Sequence, residues 1–328
     1  MSKSSLLKEL AVTAFFAGSA LSSAQANDTV TLYASNNTAA VDALLGVVAE
    51  AAPDLKVQVV SASTGALLTR IEAEAGKPQA DVFWSAGFST MASYKHHFQP
   101  HKTKAGLPAD MVGQDNLWNG SNVHVMVLMV NKRQLGNLAE PKTWSDIFKP
   151  EWKGKFVFGD PVNSSSAYAQ LFGLYKIFGR EGLEKLARNA VIVGSSSSTY
   201  KAPAAGEYPA GITMEYSAQA YVAGGQKEIA LVYPSEGTFM SPEGMAIVKG
   251  APHAAAAARL MDIMASEKAQ SAIFKATYRR PANLNVDVKA LSGLPSLPDI
   301  KIADIDQNEA AAQRDAVIGI WKEILAAQ

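Results

Sequence analysis

The segment Ser61-Ala62-Ser63-Thr64-Gly65 sets hydroxyl side chains beside a glycine, between an apolar run and a helically spaced one. The chemistry this suits is anion binding. The first N–H groups of a helix have no partner within it and the helix dipole is positive there, so hydroxyls at that point can help hold a phosphate or carboxylate. Helix capping alone also accounts for an isolated Ser-Thr pair, since both residues are ordinary N-caps. A second copy strengthens the anion reading. After Phe156-Val157-Phe158 and the break Gly159-Asp160-Pro161, the turn Asn163-Ser164-Ser165-Ser166 opens a helix carrying Tyr168, Leu171, Phe172 and Tyr175. Two such turns can face each other across a cleft.

The surrounding pattern supplies elements to position them. Val30 to Tyr33, Val57 to Val60 and Asp81 to Trp84 read as strands. Val41, Leu44, Leu45 and Val48 share one helix face, and Leu67, Leu68, Ile71 and Ala75 share another, which Gly76 and Pro78 end. Strand and helix in alternation predict a parallel sheet, whose ligands bind beyond the carboxyl ends of the strands. Ser35-Asn36-Asn37, Ser61 to Gly65 and Ser85-Ala86-Gly87 gather there as one wall of a site. The long run Val123 to Val130 breaks the alternation, and a second domain is expected from there. Between Tyr233 and Val248 turn chemistry leads into a strand that returns to the first domain. The tail is helical over 253–264, 266–276 and 306–327, the last with Val317, Ile320, Trp321 and Ile324 on one face.

The chain start and composition bound the rest. Lys3 and Lys8, an apolar stretch from Leu10 to Leu21 and Ala24-Gln25-Ala26 read as a cleavable secretory signal over residues 1–26. Its apolar run is too short to span a bilayer and no comparable run follows, so a soluble, exported, periplasmic protein is expected. There is no cysteine, which removes disulfides, thiol nucleophiles and thiolate metal sites. Taking away Lys3, Lys8 and Glu9 with the leader leaves 28 basic and 29 acidic residues, a balance that argues against a nucleic-acid partner or a polybasic membrane surface.

Catalytic motifs are missing. No Gly-x-Ser-x-Gly elbow, His-Glu-x-x-His, phosphate loop or Gly-x-Gly-x-x-Gly occurs, and no nucleophile, base and oxyanion hole assemble. His97 and His101 could approach a metal, but Pro100 interrupts the helix that would align them, and a solvated loop is expected.

Taken in order, Leu32-Tyr33-Ala34-Ser35, Ser63-Thr64-Gly65-Ala66-Leu67-Leu68, Pro78-Gln79-Ala80-Asp81-Val82-Phe83-Trp84, Pro141-Lys142-Thr143-Trp144, Asp160-Pro161-Val162-Asn163-Ser164, Gly206-Glu207-Tyr208-Pro209 and Pro234-Ser235-Glu236-Gly237-Thr238 resemble periplasmic solute-binding proteins of ABC importers. The resemblance is to the iron(III), phosphonate and sugar-phosphate-binding branch and covers nearly all of the mature chain. It implies an α/β, two-lobed type II periplasmic-binding-protein fold, each lobe a mixed, mostly parallel sheet flanked by helices, joined by a two-strand hinge. Lobe 1 is expected over 27–124 and 246–328, and lobe 2 over 125–245. The implied partners are a small anionic ligand and a membrane permease, with no cofactor, no enzymatic activity and a monomeric state.

Ferric-binding relatives carry two adjacent tyrosines where this chain has Tyr216-Ser217, and some place a histidine near Ser35-Asn36-Asn37, where this chain has none. Sugar-phosphate-binding relatives carry His-Asp at the position of Glu215-Tyr216 and a Glu in the context of Glu236. The ligand set implied is therefore Ser35, Ser63, Thr64, Ser85, Ser164, Ser165 and Ser195 for the anion, with Glu215, Tyr216 and Glu236 for the remainder. Trp84 is a further packing surface, and Arg279 and Arg280 are expected in rim salt bridges. The expected ligand is a phosphorylated or phosphonate compound. A ferric ion held by Tyr216 and Glu215 with a bound anion is the alternative, and a secreted α/β hydrolase the reading from another class.

Overall fold

Leu32 and Tyr33, Val57 to Val60 and Val82 to Trp84 are strand-forming runs, and each is followed by a Ser, Asn or Gly at which a helix can start. The computed structural model describes residues 28–328 and turns these runs into the first lobe; the expected leader, 1–26, lies outside the described residues. In chain order the first elements are β1 (Asp28–Ala34), α1 (Thr38–Ala51), β2 (Leu55–Ser61), α2 (Thr64–Ala73), β3 (Val82–Gly87), α3 (Phe88–Ser93), β4 (Phe98–Gln99) and β5 (Asn119–Asn131). The second lobe follows with α4 (Trp144–Ile147), β6 (Phe156–Gly159), α5 (Ser165–Asn189), β7 (Ala190–Val193), α6 (Ser198–Ala205), β8 (Ala210–Met214), α7 (Glu215–Ala223) and β9 (Ile229–Val232). The chain then returns through β10 (Met240–Val248), α8 (Ala254–Ala265), α9 (Glu267–Thr277), β11 (Arg280–Pro281) and α10 (Val288–Ser292), and ends in α11 (Gln307–Ala312) and α12 (Arg314–Ala326).

The strands run in the order β2-β1-β3-β10-β5-β8-β6-β7. β1 is parallel to β2 and β3, and β6 is parallel to β7 and β8, while β10 and β5 run antiparallel to their neighbours. β5 is the hinge strand. Its residues Asn119 to Val125 pair with β10 in the first lobe, and Met126 to Asn131 pair with β8 and β9 in the second. The return crossing lies at Thr238 to Met240, where Met126 N–H donates to the Phe239 carbonyl at 3.1 Å.

Each lobe has its own core. Leu32, Leu44, Val82, Trp84, Met245, Leu260 and Met261 fill the first; Met126, Leu128, Trp144, Phe156, Phe158, Phe172 and Trp321 fill the second. Two boundaries differ from the sequence expectation. β10 pairs with β5 from Met240 onward, so the chain re-enters the first lobe near residue 240 and not 246. The register irregularity between Glu243 and Gly244, together with Pro234, Gly237 and Pro242, gives this stretch the look of turn chemistry. The tail also does not all belong to lobe 1. α12 seats Val317, Trp321 and Ile324 in the second core, with Trp321 edge-on to Phe158 at 5.8 Å. An amphipathic stripe declares that a helix is buried and leaves its partner undeclared. The crossing residues 302–306 thus form a third connection, held where Thr238 N–H donates to the Lys301 carbonyl at 2.8 Å and Thr238 accepts from Ala303 N–H.

Candidate functional site

Three hydroxyls meet where the first lobe's strands end. Ser35 follows β1, Ser85 lies in β3 and Thr64 opens α2. Thr64 Oγ1 lies 2.7 Å from Ser85 Oγ and donates to Ser35 Oγ at 3.2 Å, and Ser35 and Ser85 hydroxyls are themselves bonded. Ser85 is fully buried behind the other two and fixes their orientation. The next residue, Ala86, holds φ at 71°, a left-handed conformation costly for a residue with a Cβ, so the strand end is strained beside the triad. Ser63 caps α2 by accepting from Ala66 N–H at 3.4 Å and stays exposed.

The second lobe answers with the same device. Ser164 caps α5 by accepting from Ala167 N–H at 3.2 Å, and its hydroxyl lies 3.0 Å from that of Ser166. Asp160 shapes the approach by accepting from Val162 N–H at 2.9 Å and the Asn163 amide at 2.6 Å. Ser195, on the turn into α6, accepts from Ser197 N–H at 3.2 Å.

These two sets line one cleft of about 810 Å³ between the lobes: Ser35, Ser63 and Thr64 from one side, Ser164, Ser165 and Ser195 from the other. Six of the seven hydroxyl residues named from the sequence are therefore brought together, with Ser85 behind them. The cleft also contains residues that the sequence reading passed over: Thr90 and Ser93 of α3 with Tyr94 just after it, and Arg314 and Asp315 from the tail. Arg314 did carry a signal. It lies one helical step before Val317 and two turns before Trp321, so a cation heads an apolar stripe.

The other three candidates do not line this cleft. Glu215 is buried in a two-point ion pair with Arg280, Nε to Oε1 and Nη2 to Oε2 both at 2.7 Å, and accepts from the Tyr233 hydroxyl. Burial, then the Glu215 charge, raises the Tyr233 pKa, so that hydroxyl stays a donor. Glu236 caps α4 from a distance, accepting from Trp144 N–H at 2.7 Å, Ser145 N–H at 3.3 Å and the Ser145 hydroxyl. Tyr216 lies beneath the Arg279 guanidinium, 4.4 Å from ring centre to charge, and edges a hollow of about 440 Å³ with Tyr200, Tyr221, Tyr278 and Asn37. Trp84 is wholly core.

Arg279 and Arg280 are not rim residues either. Both are buried and clasp the hinge: Arg280 holds Glu215 at the start of α7, and Arg279 holds Glu243 of β10 at 2.7 Å while touching His124 of β5 at 3.2 Å. Glu243 also accepts from Asn122 at 2.6 Å. Burial alone would raise its pKa, but Arg279, His124 and Asn122 outweigh that and bring it down to about 2. Glu215 and Tyr216 thus bind lobe to lobe through Arg280 and Arg279, a role that residue type alone does not separate from ligand binding. Among the described residues no group of three or more His, Cys, Asp or Glu side chains is placed to hold a metal ion; His101 pairs with Asp262 at 3.2 Å, and His97 packs against His96 with the rings tilted at 44°.

Residues 77–311 match the model of the bacterial extracellular solute-binding protein family. Among curated relatives, iron uptake protein A1 of Synechocystis is 25% identical over 256 residues, covering 69% of this chain and 68% of its own. Among solved structures, AfuA of Actinobacillus pleuropneumoniae, with fructose-6-phosphate bound, superposes with a TM-score of 0.81 at 21% identity over 92% of this chain and 99% of its own. Iron-bound HitA of Pseudomonas aeruginosa gives 0.78 at 19% identity over 90% and 99%. No helix among the described residues is long and apolar enough to cross a membrane. Two α/β lobes, an alternating hinge strand and a polar cleft accord with the family match: the chain belongs to the bacterial extracellular solute-binding proteins, as the periplasmic solute-binding component of an ABC transporter.

Proposed function

We propose that the cleft captures a small organic anion bearing a phosphoryl or phosphonyl group and delivers it to the membrane permease. The observation carrying this reading is that α2 and α5, from different lobes, direct their hydroxyl-bearing N-termini into one cleft. Each terminus offers unpartnered N–H groups and a positive dipole end, and Ser63, Thr64, Ser164 and Ser165 add donors around them. A ligand touching both ends is held fully only when the lobes approach, so binding shifts the population toward the shut form. The permease then has a shape to recognise that depends on the ligand. The fructose-6-phosphate bound to AfuA agrees in ligand class.

A ferric ion is the second reading, favoured by one observation. Tyr200, Tyr216 and Tyr221 share the smaller hollow, with the Tyr200 and Tyr221 rings 6.2 Å apart, and phenolates are hard ligands. Glu215 is engaged by Arg280 and is not free to join them.

A ligand that binds only the folded form stabilises it by about 2.7 kcal/mol at a hundredfold excess over Kd. Ligand-free protein is therefore expected to melt several degrees higher with a hexose 6-phosphate or 2-aminoethylphosphonate, and Ser63→Ala with Ser164→Ala to lose the shift. Absence of a shift across such compounds, with visible colour on loading ferric citrate, overturns the reading in favour of iron.

A further inference from the structure

We infer that Arg314, brought to the cleft by the C-terminal segment, is the residue that selects a dianionic phosphoryl group over a singly charged anion; this rests on the phosphoryl reading of the cleft. Arg314 is the first residue of α12, where the positive end of the helix dipole opposes a cation. That placement does nothing for the helix. The salt bridges that join the tail to α5, Lys176 with Glu309 and Arg180 with Glu323, leave Arg314 out.

The guanidinium is nonetheless held in position. It lies over the Tyr168 ring at 4.4 Å, and the Tyr168 hydroxyl donates to the Ala310 carbonyl, tying the first turn of α5 to α11. Burial raises the Tyr168 pKa to about 12, so the ring stays neutral and remains a donor. Stacking occupies one face of the guanidinium and leaves its edge, with five N–H donors in a planar fork, available to a phosphoryl group. The same cleft wall carries Ser164, Ser165 and Ser166 at the start of α5 and Ser195 and Ser196 before α6.

A guanidinium adds a charge-assisted, two-point contact that helix N-termini and hydroxyls do not supply, and that contact strengthens with the second charge of a dianion. Among the described residues lining this cleft, Arg314 is the only Lys or Arg. Asp315 and Tyr94 are the other ionisable residues on its wall. Asp315 disfavours a further anionic group beside it and suits a ligand whose other end carries hydroxyl or ammonium groups. The ligand class is then a phosphomonoester or phosphonate with one dianionic head and a polar, non-anionic body.

The test is calorimetric titration of ligand-free full-length protein, as wild type, Arg314→Gln and Arg314→Lys, with fructose 6-phosphate, glucose 6-phosphate, 2-aminoethylphosphonate and the singly charged glucose 6-sulfate. Wild type is expected to favour phosphate over sulfate ester. Arg314→Gln should lose about ten- to hundredfold in affinity for the phosphoryl compound, the scale of a hydrogen bond to a charged group, and much less for the sulfate. Arg314→Lys should keep part of the preference. The second ionisation of a phosphoryl group lies near about pH 6, so wild-type affinity rises through that range and the rise flattens in Arg314→Gln. Equal losses for phosphate and sulfate would reduce Arg314 to a structural support and overturn the inference. Undiminished phosphate binding by Arg314→Gln overturns it while the cleft reading stands. Failure of wild type to bind any of the phosphoryl compounds overturns both.

Discussion

Glu243 shows what single residues do at the hinge. Its carboxylate is buried yet ionised, facing Arg279, His124 and Asn122, with the Asn36 amide at 3.4 Å. Its folded pKa of about 2 lies below the ordinary 4.5. The stability it contributes is therefore complete above 4.5 and is lost as pH falls toward the folded value. Melting temperatures measured down that range should fall steeply for wild type and less steeply for Glu243→Gln, which starts lower because it leaves Arg279 without its counter-charge. Parallel acid profiles for the two proteins would contradict the assignment. Legibility at this scale divides by chemistry. The hydroxyls at helix starts could be read from sequence because capping residues must sit where the helix begins. Glu215, Glu236 and Tyr216 could not be assigned, since a carboxylate looks the same whether it faces a ligand or a buried arginine 65 residues away, as Glu215 does.

Elements hold the site through close backbone approach as much as through side chains. Gly211 in β8 has Thr199 O of α6 only 2.0 Å from where a Cβ would stand, so α6 and the turn bearing Ser195 press directly on the strand. Gly211→Ala forces that helix away and should cost about 1–3 kcal/mol by denaturant titration, with weaker binding of the anion as Ser195 shifts. A variant of wild-type stability would mean that α6 is not seated there. The strands and helices of the first lobe were legible because β1, β2 and β3 alternate with α1 and α2 in the period of each element. The start of β10 was obscured by Pro242, Gly244 and its register shift, which mimic a loop. The two-point Arg280–Glu215 clasp between β11 and α7 had no local signature, being made by residues far apart in sequence.

The whole molecule is two cores joined by β5, the crossing at Thr238 to Met240 and the tail segment before α11. The tail is what sequence periodicity placed least well, because the stripe Val317, Trp321 and Ile324 fits any apolar face and α5 with β6 supplies it in the second lobe. Its consequence is positional: a segment that crosses lobes carries Arg314 to the cleft. At this scale the proposal is that the cleft holds a phosphoryl or phosphonyl compound. Native mass spectrometry of the protein purified with its own ligand, followed by release and fragmentation, reads this directly. The predicted result is one bound small molecule per chain whose fragments contain a phosphoryl or phosphonyl group; a bound iron atom, or a neutral compound without phosphorus, would contradict it.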